Sequence, residues 1–209
     1  MTNYICINGK QIELTEGQMA QIKASFREPE IAGSEGVMLS KVAVGATVKI
    51  GGHEMVVLEQ ADHTTVLIRK QLLREEQRFG GSNNYDGSGV DDLCNEFAED
   101  ICAAVGEENV VVHAVDLTSD DGLKDYGQIQ RRASLLTADR YRKYVELLDK
   151  HKPDAWWWLA TPHSTDRHGN DSWVKCVSPS GNIYYDNFNF GGNGVRPFCI
   201  LKSNIFVSK

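Results

Sequence analysis

Trp156-Trp157-Trp158-Leu159-Ala160-Thr161-Pro162 gathers three indoles and two aliphatic side chains into seven residues that carry no charge. A β-strand sends alternate side chains to opposite faces. The strand expected over Trp156–Leu159 therefore places Trp156 and Trp158 on one face and Trp157 on the other. Large apolar rings favour burial, so Trp156 and Trp158 are assigned to the core. Trp157 becomes the candidate stacking partner for a ligand.

Around this strand the texture is that of a loop-rich β structure. From residue 153 helical periodicity disappears, and Trp, Tyr, Asn, Asp and Gly dominate up to Cys199. Short strands are expected over Trp156–Leu159, Trp173–Val177, Ile183–Tyr185 and Val195–Leu201, separated by polar turns. The turns between residues 163 and 193 are dense in side chains that offer adaptable hydrogen bonds or rigid aromatic area. Asn182, Tyr184, Tyr185, Asn187, Asn189 and Asn193 are the candidate ligand contacts there, with Trp157 beside them. Arg196 precedes an apolar strand, which suggests a buried guanidinium tying backbone carbonyls together through its planar fork of donors. Pro197 fits the first position of an edge strand. Gly191-Gly192-Asn193-Gly194 has no helix behind it, as a phosphate-binding loop requires, and reads as a turn whose glycines allow positive φ.

Upstream, periodicity returns. Thr47–Ile50 and Glu54–Leu58 flank Gly51-Gly52, and Thr64–Ile68 follows, which reads as an antiparallel meander. Ser88 caps a helix whose stripe is Val90, Leu93, Phe97, Ile101 and Ala104, flanked by Cys94. Val110–Val115 reads as a buried strand. Thr137 begins a second helix carrying Tyr141, Tyr144, Val145 and Leu148 on one side. At the start of the chain, Tyr4–Ile7 and Gln11–Leu14 flank Asn8-Gly9, a strong hairpin signal. Thr15-Glu16-Gly17-Gln18 is a capping box ahead of a stripe of Met19, Ile22 and Phe26. The expected organisation is a small hairpin-helix unit over residues 1–28, a linker over 29–41 and one main domain over 42–209. The fold class is α+β, with short antiparallel strands and two helices in the main domain.

Bulk properties narrow the function. The 209 residues are 41% hydrophobic and 24% charged with a net charge of -7, so a phosphate backbone is repelled and no nucleic-acid partner is expected. No apolar run is long enough to span a bilayer, and MTNYICING lacks the order of a secretory signal. Five scattered cysteines with no CxxC fit free thiols in a reducing compartment, so a cytoplasmic location is expected.

Catalytic and metal motifs are missing from the sequence. There is no GxSxG elbow, no GxxxxGK[ST] loop and no papain- or caspase-type cysteine context. His163, Asp166, His168 and Asp171 lie within nine residues, but their spacing matches no ligand pattern and Arg167 sits among them. The acidic run Asp116 to Gly122 fails as a calcium loop, since the glycine register would put Leu117 at the first ligand position. No cofactor is expected.

Three segments taken together carry a resemblance. Trp156-Trp157-Trp158-Leu159-Ala160-Thr161-Pro162, followed by Val177-Ser178-Pro179-Ser180-Gly181-Asn182-Ile183 and Gly194-Val195-Arg196-Pro197-Phe198, resembles an uncharacterised family of gut-bacterial and phage domains with WWLRSP…GVRP motifs. Asn83-Asn84-Tyr85 and Leu135-Leu136-Thr137 look like its earlier landmarks, so the resemblance covers roughly residues 42–205. That family is similar to the C-type-lectin-like fold of formylglycine-generating enzymes and retroelement variable proteins. The resemblance implies a compact scaffold displaying a ligand surface for a protein or glycan. This chain has Ala160-Thr161-Pro162 where the family has Arg-Ser-Pro. It also lacks the Trp-Asn-Asp triplet of calcium-dependent sugar binding. A non-catalytic recognition module is the first expectation. Its alternatives are a cysteine-dependent oxidase on the same scaffold, or a structural protein attached to a larger particle or oligomer through residues 1–28.

Overall fold

The structure is a computed structural model and describes residues 3–7, 10–15, 18 and 36–208. The chain divides into two compact units, Met1–Glu35 and Gly36–Lys209.

In the first unit, β1 (Asn3–Ile7) and β2 (Lys10–Leu14) form an antiparallel hairpin with Asn3 opposite Leu14 and Ile7 opposite Lys10. The capping box is formed reciprocally. The Gln18 amide donates to Thr15 Oγ1 at 3.3 Å, and the Thr15 amide donates to Gln18 Oε1 at 2.9 Å. The turn Asn8-Gly9, the stripe Met19, Ile22 and Phe26, and positions 29–35 of the expected linker lie outside the described residues.

The rest of the expected linker belongs to the second unit. The strand β3 (Val37–Met38) is paired antiparallel with a strand from the far end of the chain, Phe206 opposite Met38, and Leu39 is fully buried. The boundary therefore falls at residue 36 rather than 42. Composition suggested a linker because the pairing partner lies about 170 residues away, beyond any local signal.

The central sheet grows from β4 (Thr47–Ile50), β5 (His53–Gln60) and β6 (Thr64–Arg69). Gly51 and Gly52 take φ of 57° and 81°, the left-handed pair that a two-residue hairpin loop needs. Met55 to Leu58 is an unbroken buried run, so the sheet is covered on both faces. On one face Met55, Val57 and Leu67 meet Phe97 and Ile101 of the helix α1 (Gly89–Val105). On the other, Val56, Leu58 and Ile68 meet Tyr141, Tyr144 and Leu148, with Trp157 and Leu159.

Both helix starts are closed by the chemistry of their caps. Ser88 Oγ accepts from the Asp91 amide at 3.2 Å, and Thr137 Oγ1 accepts from the Arg140 amide at 3.2 Å. The α1 stripe is buried at Val90, Cys94, Phe97 and Ile101, whereas Ala104 is exposed. The expected strand over Val110–Val115 is shorter. It begins as β7 (His113–Asp116), paired with β8 (Gln128–Arg131), while Val110 makes only an isolated bridge to Leu201. The short strand β9 (Ala133–Ser134) leads to α2 (Ala138–Leu148).

The chain then forms a three-stranded antiparallel sheet, β10 (Trp157–Pro162), β11 (Trp173–Val177) and β12 (Ile183–Asn187), with β12 at the edge. It returns through β13 (Phe198–Lys202), which inserts between β6 and β9 and completes the five-stranded order β4-β5-β6-β13-β9. The last strand, β14 (Phe206–Val207), closes onto β3.

Gly194 joins the two sheets' surroundings. Its amide donates to Trp156 O at 2.8 Å, and its carbonyl accepts from the Trp158 amide at 3.0 Å. A Cβ there would lie 2.4 Å from Leu72 Cδ1 and 2.8 Å from Arg74 O. Close backbone approach, not φ, fixes this glycine. Gly191, Gly192 and Gly194 are absent from the positive-φ set, which corrects the turn expected from their composition.

His113 marks the seam between β7 and the central sheet. Its Nε2 lies 3.0 Å from Ser134 Oγ, and its ring centroid is 4.7 Å from that of Phe198. Burial, aided by the Arg140 charge, pulls its pKa down to about 4. The unfolded chain takes up this proton near pH 6.5 and the folded one only near 4. Stability contributed by the neutral ring is therefore present above 6.5 and lost as pH falls toward 4. We expect about 3 kcal/mol of destabilisation across that window. His113→Gln should flatten this part of the urea-midpoint profile. An identical slope in both proteins would show that His113 does not cause it.

Candidate ligand-binding surface

The tryptophan triplet is shifted by one position from the alternation expected of it. The strand begins at Trp157, and both Trp157 and Trp158 are buried on opposite faces of a doubly covered sheet. Trp157 packs edge-on to Tyr141 at 5.7 Å, with the Arg196 guanidinium 5.3 Å above its ring. Trp158 donates its indole N–H to Gln77 O at 2.7 Å and meets Phe79 edge-on at 5.5 Å. Trp157 is thus no stacking platform. Trp156, assigned to the core by alternation, is instead 37% exposed.

Asn193 also departs from its expected place. It is fully buried, and its carbonyl accepts from the Gln77 amide at 2.9 Å. The reason is tertiary: residues 72–79 run along residues 193–195, so what reads as a turn is sealed. Pro197 is buried beside Arg196, and its carbonyl accepts from the Arg69 amide at 3.0 Å. Pro197 precedes β13, an interior strand of the sheet rather than an edge.

The other candidates stay near the surface on β12 and its turns. Asn182, Tyr184, Tyr185 and Asn189 are exposed, and Asn187 is half-buried. Two of the asparagines shape turns. Asn182 Nδ2 donates to Ser180 Oγ at 2.9 Å, and Asn187 Oδ1 accepts from the Asn189 amide at 2.9 Å.

Strand register then decides which rings meet. Tyr185 pairs with Lys175, and Tyr184 with Cys176. Tyr185 stacks on His163 with centroids 4.5 Å apart and stands edge-on to Trp173 at 5.6 Å. Tyr184 meets Trp156 edge-on at 5.3 Å. Phe190, in the turn after β12, is 49% exposed.

Beneath Tyr185 lies a charged relay. Lys175 Nζ is 5.6 Å from the Tyr185 centroid and 3.0 Å from Asp120 Oδ2, while Arg142 donates to Asp120 Oδ1 at 3.1 Å. Burial raises the Asp120 pKa, but the hydrogen bonds from Lys175 and Arg142 outweigh it and leave the carboxyl below its ordinary value. Asp120 also lines a cavity of about 570 Å³ with Asp116, Thr118, Arg140, Arg142 and Thr161.

The two loops weighed as metal sites spend their charges on each other. Asp121 Oδ2 accepts from Ser164 Oγ at 2.6 Å and lies 2.9 Å from His168 Nδ1. Asp125 accepts from Thr165 Oγ1 at 2.6 Å and from Arg167. Asn83 pins the same region by donating to Ser164 O at 2.9 Å. Among the described residues no group of three or more His, Cys, Asp or Glu side chains is placed to hold a metal.

Sequence reasoning missed Trp173, His163, Lys175, Asp120 and Arg142 as parts of one surface. Alternation of Trp173 and Lys175 on β11 was a readable signal. The approach of Asp120, 55 residues away from Lys175, was not.

Together the described residues define a mixed α+β protein, built mostly of antiparallel sheets, with two helices in the second unit. Among the described residues no helix is long and apolar enough to cross a membrane. No family model, curated protein or solved structure matches the chain.

Proposed function

We propose that this protein is a non-catalytic recognition module on a C-type-lectin-like scaffold, binding a protein or glycan through the aromatic edge of the β10-β11-β12 sheet. The observation that carries this reading is the crowding of exposed rings. Trp156, Trp173, Tyr184 and Tyr185 are all at least 36% exposed. They meet in two pairs along the edge strand β12, Tyr184 with Trp156 and Tyr185 with Trp173, one pair for each face of the strand. Exposed aromatic pairs on a strand frame suit a contact edge. The junction of the Trp156–Pro162 and Gly194–Phe198 segments through Gly194 supports the scaffold, since those segments carry the resemblance to bacterial and phage domains.

Cysteine chemistry is the weaker account. Burial pushes the Cys94, Cys176 and Cys199 thiols up to about 12 and raises Cys102 as well, whereas a reactive cysteine needs a depressed pKa.

The test is a triple variant, Trp173→Ala, Tyr184→Ala and Tyr185→Ala, used as bait beside the wild type against host lysate and an oligosaccharide array. The variant should keep its far-UV spectrum and its cooperative melt while losing at least tenfold in affinity for whatever the wild type captures. Equal capture by both proteins would place the binding surface elsewhere.

A further inference from the structure

We infer that a second copy of this chain pairs with β12, edge to edge, so that two molecules join their sheets across a twofold axis at Tyr184. β12 is the outer strand of the order β10-β11-β12. Along an antiparallel strand, successive residues alternate between bonding to the partner strand and turning their N–H and C=O groups away from it. The Ser178 amide donates to Asn182 O at 2.9 Å and the Phe188 amide to Ser172 O at 3.0 Å, which brackets the β11–β12 register. Tyr184 and Asp186 therefore bond toward β11, and Ile183, Tyr185 and Asn187 face the open side. Asn187 is closed from within. Its amide donates to Asp186 Oδ1 at 2.8 Å, and its carbonyl accepts from the Phe190 amide at 2.8 Å. Among the described residues nothing meets the outward groups of Ile183 and Tyr185, and such an edge is a template for another strand.

The open stretch is complementary to itself. With the axis at Tyr184, Ile183 of each copy faces Tyr185 of the other, and every such pair exchanges both of its N–H···O bonds. The side chains agree with this register. Tyr184 meets its own counterpart at the unbonded position, where side chains come closest, and Tyr185 meets Ile183. Aromatic–aromatic and aromatic–β-branched pairs are both favourable across strands. Asp186, the only charged residue of β12, falls opposite Asn182, so no like charges are opposed.

Order favours a second copy over a free peptide. A flexible peptide loses backbone freedom when it adds a strand, whereas β12 is already held extended by β11. Because the same edge serves both molecules, the contact closes as a dimer. Pairing uses the edge of the strand and leaves its two faces. The Tyr184–Trp156 and Tyr185–Trp173 pairs therefore stay open to a ligand and are presented twice, which takes the inference beyond the recognition reading.

The experiment is sedimentation velocity of the full-length chain from about 5 μM to about 1 mM, the span of weak association. The mass should rise from monomer to dimer within that range and no further. Tyr185→Pro removes an outward N–H while sparing the bonds to β11, and Tyr184→Lys opposes two ammonium groups at the axis. Each should weaken dimerisation at least tenfold while keeping the far-UV spectrum and the cooperative melt. Crosslinking reads the register. Opposed Cα atoms at an unbonded position lie about 4.5 Å apart, within disulfide reach, whereas the two Tyr185 positions are a diagonal pair at about 7–8 Å and out of reach. With oxidised glutathione as oxidant, Tyr184→Cys should give a disulfide-linked dimer above the wild-type background, and Tyr185→Cys should not. Should Tyr185→Pro fail to fold, Tyr184→Lys and the crosslinks decide. A chain that stays monomeric throughout leaves the edge to a foreign strand and overturns the inference. So does a dimer that Tyr184→Lys leaves intact, or equal crosslinking by both cysteine variants.

Discussion

Arg196→Ala is expected to cost about 3–5 kcal/mol, most of what holds an ordinary domain of about 5–15 kcal/mol together. Arg196 is fully buried between β6, α2 and Trp157. Its Nε donates to Arg69 O at 2.8 Å, and its Nη2 donates to His151 O at 2.7 Å and reaches Lys70 O at 3.4 Å. Truncation leaves those carbonyls buried without their donor, at about 1–3 kcal/mol each, and opens a cavity under the Trp157 ring. Burial pulls the guanidinium pKa down to about 10, so it stays charged at neutral pH and the loss should not vary between pH 6 and 8. Arg196→Lys should recover only part of it, because one ammonium cannot reproduce a planar fork. The urea midpoint, read by far-UV signal, is the measurement. A variant within about 1 kcal/mol of wild type would mean that other groups tie β6 to the end of α2.

The tryptophan triplet should give the second large effect, and an ordered one. Trp157→Ala and Trp158→Ala each empty a fully enclosed site and should cost about 3–5 kcal/mol. Trp156→Ala removes a 37% exposed ring and should cost less than about 1 kcal/mol. Alternation about a strand starting at Trp156 orders the three differently, with Trp157 the mild substitution. Thermal melts of the three single variants therefore separate the two arrangements. A mild Trp157→Ala and a severe Trp156→Ala would return the strand to the phase suggested by the sequence.

These two sets of variants mark where the sequence was legible. The turn at Gly51-Gly52, the caps at Ser88 and Thr137 and the box of Thr15 with Gln18 involve partners within a few residues. Steric and hydrogen-bonding rules acting over that range are written directly into the chain. The four-residue apolar run from Met55 to Leu58 likewise announced a strand, although the sheet's strand order did not follow from it.

The site was legible only in part. The exposure of Tyr184, Tyr185, Asn182 and Asn189 was legible because polar and aromatic residues between strands commonly remain outside. Trp157 and Asn193 were misplaced for one shared reason: exposure depends on what other elements cover. The helix α2 seals Trp157, and residues 72–79 seal Asn193.

Residue chemistry alone determined that residues 36–208 form short antiparallel strands, two capped helices and a polar-aromatic C-terminal half. Tertiary structure decided which tryptophan faces water, that Val37 and Met38 pair with the chain's far end, and that Asp120 meets Lys175 beneath Tyr185. The division has a physical origin. Backbone hydrogen bonding and sterics act over a few residues, whereas burial and charge pairing are settled between segments that only the folded chain brings together.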